Sequence, residues 1–188
     1  MSNNFKNQLI MKTKKNVVFI ILNIITWIIF VGLSIEAGAL IVNFVFSIFK
    51  PEMVQNLYNK MDLSELYNQS WMVFYGMYGF VLFISILKCI LFYIVIMLIL
   101  KLNLEKPFST FVSAQITKMS YLTLSIGLIS YIASEIAKKM QQTGYEIEPL
   151  NQFWVDSEAF ILMAAIVYVI ALIFKKGVEL QSENELTI

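Results

Sequence analysis

Four ionisable residues, Glu36, Lys88, Glu135 and Glu158, interrupt long apolar stretches of this chain. A charge among apolar neighbours serves as half of an ion pair, a step in a proton relay or a contact for a transported ion. Lys88 lies thirteen residues before Lys101, about 20 Å along a helix. Glu36 falls about 30 Å from the start of its run, Glu135 about 25 Å beyond Lys118, and Glu158 about 25 Å before Lys175. One lysine and up to three carboxylates can therefore share a layer. The lysine stem bridges a depth mismatch of several ångströms by snorkelling. Glu36 is the expected partner of Lys88. Glu135 and Glu158 are expected at an interface, with Glu135 pairing Lys139 one turn on.

Other chemistry is missing from the sequence. There is no histidine and no arginine, and all fourteen cations are lysines. Serine–histidine and cysteine–histidine nucleophiles are excluded. The commonest metal ligand is gone too, and no phosphate-binding glycine loop appears. No cofactor, metal centre or enzymatic activity is expected. A net charge of +1 rules out a basic nucleic-acid surface, so direct nucleic-acid binding is not expected. Cys89 is the one cysteine and reads as an apolar packer. Asn23, Thr26, Ser34, Asn43, Ser85, Ser120, Thr123, Ser125, Ser130 and Ser134 can bond across helices.

The elements that must position these groups are apolar runs from Val17 to Phe49, Val73 to Leu100, Met119 to Ala137 and Val155 to Phe174. About 20 apolar residues in a helix cross a bilayer core. The chain is 59% hydrophobic with a mean hydropathy of +0.72. The fold class is therefore all-α: a four-transmembrane-helix bundle in the lipid bilayer, forming one membrane domain over 1–188. The spans are expected at about 17–37 with a helical extension to 49, 78–100, 119–137 and 155–174. Nine lysines flank one side (6, 12, 14, 15, 101, 106, 118, 175, 176) and four the other (50, 60, 138, 139). The richer side is expected to be cytoplasmic, with both termini. Ala37-Gly38-Ala39 resembles a signal cleavage site, but the preceding run is too long for a signal core. The span surfaces also allow a homo-oligomer.

Smaller features follow along the chain. Residues 1–16 read as a short basic arm. Gly32 and Gly38 allow another helix to approach. Met53, Leu57 and Met61, with Val54 and Tyr58, predict a short amphipathic helix on the outer surface. Tyr67, Trp71, Tyr75 and Tyr78 fit an aromatic belt. Lys106-Pro107-Phe108-Ser109 reads as a helix start, with proline in its first turn. A stripe from Phe108 to Met119 then leads into the third span. Gly144 and Pro149 break a polar outer loop. Asp156 or Ser157 can cap the fourth span.

Two short stretches carry a resemblance. One is Lys106-Pro107-Phe108-Ser109. The other is the tail Lys175-Lys176-Gly177-Val178-Glu179-Leu180-Gln181-Ser182-Glu183-Asn184-Glu185-Leu186-Thr187-Ile188. Together they resemble a domain-of-unknown-function family of four-span bacterial membrane proteins. That family's tail carries a basic pair, Gly, an apolar residue, Glu-Leu, then Glu-Asn-Asp-Leu-Thr-Val. Here Glu185 stands for the aspartate, Ile188 for the valine, and lysines for frequent arginines. The resemblance implies a multi-pass protein of the bacterial inner membrane, often encoded beside a small helix-turn-helix regulator of the Cro/repressor type. A regulatory or sensory role, with that regulator as cytoplasmic partner, is what it implies. The tail's own residues agree: Glu179, Glu183 and Glu185 with Leu180, Leu186 and Ile188 can dock on a basic protein surface. The alternative is a small transporter or efflux subunit using a polar layer around Lys88.

Overall fold

A computed structural model describes residues 2–58, 61–104 and 106–185. Every regular element among them is helical. Helix α1 runs Ser2–Phe49, α2 Ser64–Gln69, α3 Trp71–Lys101, α4 Thr110–Gln142 and α5 Ser157–Glu185. Four stretches, based on α1, α3, α4 and α5, are long and apolar enough to cross a membrane. The protein is thus an all-α, multi-pass membrane protein with four spanning helices.

The helix ends have local causes. Phe49 is the last residue of α1 because Lys50 precedes Pro51, and a residue before proline avoids the α region. Ser70 Oγ accepts from the Val73 N–H to cap α3, at 3.4 Å. Ser109 Oγ does the same for α4, accepting from Val112 at 3.2 Å. So Pro107 and Phe108 precede the helix instead of forming its first turn: with a serine on hand as cap, the chain stays extended through 109. Helix α4 ends where Gly144 takes φ +91°, a left-handed turn that favours glycine.

The helices outrun the apolar runs. The expected basic arm is helical from Ser2, in register with α1. At 1.5 Å per residue α1 is about 72 Å long, more than twice a bilayer core. Helix α4 contains both the expected interfacial stripe and the third span. Helix α5 carries on through the tail to Glu185. Val155 and Asp156 belong to the turn before it.

Packing follows chain order: α1 lies on α3, α3 on α4 and α4 on α5. The α4–α5 seam is the most extensive. Its α4 face places Ser113, Ile116, Ser120, Thr123, Gly127, Ser130, Ala133 and Ala137 inward at steps of three and four. Small residues at that spacing let two helix backbones approach closely. Ser120 Oγ donates to the Ala164 carbonyl across the seam, at 3.1 Å.

The largest apolar core lies at the ends of the spans away from the chain termini. There Leu40, Val54, Leu57, Met61, Leu63, Leu66, Phe74, Tyr78, Ile147, Leu150 and Trp154 form one cluster. The loop after α1 and the loop after α4 thus fold together at this end of the bundle. Pro51–Gln55 is a 3-10 turn, and among the described residues of 53–61 none is α-helical, while Met61, Leu63 and Leu66 turn inward. Tyr78 is no belt residue. It is fully buried, stacks on Phe44 and donates to the Leu40 carbonyl at 3.2 Å. Gln69 clasps the two loops, donating to the Gly144 carbonyl and accepting from the Glu146 N–H, each at 3.2 Å.

Candidate functional site

At the end of the bundle that bears the C-terminal tail, the Lys106–Ser109 stretch and the start of the tail meet. The Phe108 ring lies on Gly177, where any Cβ would overlap it. The same ring packs on Phe174 with centroids 5.3 Å apart. Beneath them Val112, Ile116 and Ala171 form a second apolar cluster with Leu98, Leu102 and Phe111. The Lys101 ammonium sits 4.8 Å above the Phe111 ring, a cation–π contact. The α3–α4 connection is therefore pinned to the exit of α5 by aromatic rings.

That contact shapes one wall of an open groove of about 690 Å³, lined by Phe108, Ile173, Lys176, Gly177, Leu180 and Asn184. Lys176 bonds Glu179 one turn on at 3.1 Å. Both are well exposed, so the pair adds little stability. Lys106, Lys175, Leu180 and Glu183 are exposed, and Pro107 and Ser109 are half-buried. Glu185 ends α5, and Leu186 lies outside the described residues. The acidic tail continues α5 as one helix as far as it is described.

Toward the opposite end of the bundle, the expected charged layer separates into two groups. Lys88 is half-buried on α3. Its ammonium points at the Phe153 carbonyl, a long bond of 3.5 Å, and lies 5.6 Å from the Phe160 ring centroid. Glu36 on α1 and Asp156 before α5 act on it electrostatically. The direct acceptor is therefore a backbone carbonyl, with Glu36 at longer range. Asp156, read only as a cap, joins the node because the chain turns there beneath the cap. Glu135 pairs with Lys138 at 2.7 Å, not with Lys139. The i+3 lysine lies on the same side of the helix and reaches first. Glu158 is near Lys138 and shares its groove with Glu135, not with Lys88.

Sequence reasoning missed two positions. Gly127 is one: a Cβ there would fall 2.7 Å from Ile161 Cγ1 and 2.9 Å from its backbone nitrogen. Gly32 and Gly38, the expected approach points, have nothing within 4 Å. Gln69 is the other, since its one acceptor and one donor come from a loop 75 and 77 residues away.

A family model described as "Protein of unknown function (DUF2975)" matches residues 56–188. No curated protein and no solved structure matches the chain.

Proposed function

We propose that this chain, which belongs to the DUF2975 family of proteins of unknown function, is a non-enzymatic regulatory protein of the bacterial inner membrane. It acts as one membrane domain with both termini cytoplasmic, following the lysine bias. Its working surface is the cytoplasmic face made by 106–109 and the α5 extension from Lys175 to Glu185. Its partner is a cytoplasmic protein such as a small helix-turn-helix regulator. The observation that carries this reading is the Phe108 ring seated on Gly177. It joins the two family-like stretches into one surface that moves with α4 and α5. A shift in the spans would then alter the surface and its affinity for a partner. A coupling of about 1–3 kcal/mol suffices for a switch.

Support for transport is thinner. Lys88 is engaged by a carbonyl and an aromatic ring, a packed setting that suits a structural strut better than a pathway.

Pull-down from membranes, with the chain intact and with Glu179–Ile188 deleted, tests the proposal. The deletion begins beyond the Gly177 contact with Phe108 and spares the apolar run of the fourth span, so insertion should persist while capture is lost. Equal capture by both forms would exclude the tail as the site.

A further inference from the structure

The second group of outer charges forms a site of its own. A groove of about 450 Å³ at the outer ends of α4 and α5 is lined by Tyr131, Glu135, Lys138, Trp154, Ser157 and Glu158, among others. Its depth follows from helix geometry: Glu158 is seventeen residues from Lys175, about 25 Å. A hydrocarbon core is about 30 Å thick, so these positions lie within about 5 Å of the outer headgroup layer, a gap the glutamate side chains largely span. Tyr131 and Trp154 are residues enriched at that level. Tyr131 and Val155 are exposed, so the groove opens sideways toward lipid.

Its charges are mixed. Lys138 has three donor hydrogens and gives one to Glu135. The Lys138 side chain is 63% exposed, so its remaining donors are open to another anion. Two carboxylates face one lysine, and Glu158 stands exposed at the rim. We propose that this groove binds the headgroup of an outer-leaflet phospholipid carrying both a phosphate and a primary ammonium. The phosphate meets Lys138, the ammonium meets Glu158, and the exposed Tyr131 ring borders the glycerol region, with Trp154 buried beneath the groove. A headgroup with phosphate alone satisfies the lysine but repels the carboxylates. A quaternary ammonium fills the space but offers Glu158 no N–H. This site is independent of the cytoplasmic surface.

Trp154 provides the reporter. The full chain carrying Trp27→Phe and Trp71→Phe is placed in phosphatidylcholine nanodiscs. Shallow-brominated phosphatidylethanolamine, phosphatidylcholine or phosphatidylglycerol is then titrated, and quenching of Trp154 is read. Charge-assisted hydrogen bonds of the expected kind correspond to roughly tenfold selectivity for ethanolamine over choline lipid. Glu158→Gln should bring that ratio close to one and improve phosphatidylglycerol binding. Lys138→Gln should weaken all three. Both side chains are exposed, so the variants should fold, which their circular dichroism melts verify. Equal quenching by ethanolamine and choline lipid, or a ratio unchanged in Glu158→Gln, overturns the proposal. So does displacement of the brominated lipid by equimolar soluble phosphoethanolamine, which would mark a metabolite site.

Discussion

Lys88 shows how one side chain ties distant parts of the chain together. From α3 it reaches the Phe153 carbonyl and the Phe160 ring, with Glu36 and Asp156 nearby. An ammonium at that depth costs at least about 2.5 kcal/mol if unpartnered. The node must recover that cost through these contacts. Lys88→Met keeps the stem and removes the charge. It should leave the α3 packing intact but release the 148–153 turn, seen as faster amide exchange at 150–157. Unchanged exchange would mean that Lys88 does not hold the turn. A second residue acts at the start of α2. The Asp62 carboxylate accepts from the Ser64 N–H at 2.9 Å, and the Ser64 hydroxyl and N–H hold its pKa below the usual carboxylate value. A lowered folded-state pKa means stability that is present above the unfolded pKa. It is lost as pH falls through the lowered value. Exchange protection at 64–66 should therefore drop only in acid below the ordinary carboxylate range. A loss between pH 6 and 8 would contradict that sign.

At the scale of helices, glycines sort by what they face. At Gly127 the obstruction includes the Ile161 nitrogen and the Phe160 carbonyl carbon, which cannot rotate away. Gly127→Ala must separate α4 from α5, a cost of about 1–3 kcal/mol for overpacking. Gly32→Ala, Gly38→Ala, Gly76→Ala and Gly79→Ala meet open space, and gain about 0.5–1 kcal/mol of helix propensity instead. A thermal melt in detergent should lower the midpoint for the first and not for the others. Equal shifts would show that the α4–α5 seam is not close-packed at Gly127. The contrast also explains what could be read from the sequence. Span number was legible because each run meets a length threshold set by the bilayer. The start of α4 was misplaced by about one turn, because Pro107 and Ser109 are both good starts and only geometry chooses between them. The outer cap was invisible: Leu57, Leu66 and Leu150 are far apart in sequence, and their contact carries no local period. Glu135 chose Lys138 over Lys139 for a similar reason, since one residue of helix rotation decides which lysine it meets.

Across the whole molecule the serial order of packing has a mechanical consequence. Helix α1 rests on α3 and on the turn that follows it, while α4 and α5 are joined along a long small-residue seam. Much of α1 below the cap is exposed: Val17, Val18, Ile20, Ile21, Leu22, Ile24 and Ile25 face outward. The family match begins at residue 56, beyond α1. Helix association within a membrane depends on close packing and interhelical bonds, because lipid satisfies apolar surface equally well. So α1 should detach first, and α4–α5 last. The chain contains its own reporter for this. Cys89 lies in the α1–α3 seam, with its sulfur 3.3 Å from Ser34 Oγ. While α1 is seated the half-buried thiol is shielded on its Ser34 side, and when α1 leaves it opens more fully to a membrane-permeant maleimide. Titrating dodecyl sulfate into mixed micelles should expose Cys89 at a lower mole fraction than the loss of helix seen by circular dichroism. Ser34→Leu, which crowds the seam, should lower the labelling threshold further and leave the later transition in place. Gly127→Ala should do the reverse, moving the later transition with little effect on labelling. A single coincident transition in all three forms would mean that the four spans unfold as one cooperative unit, and the serial description would fail.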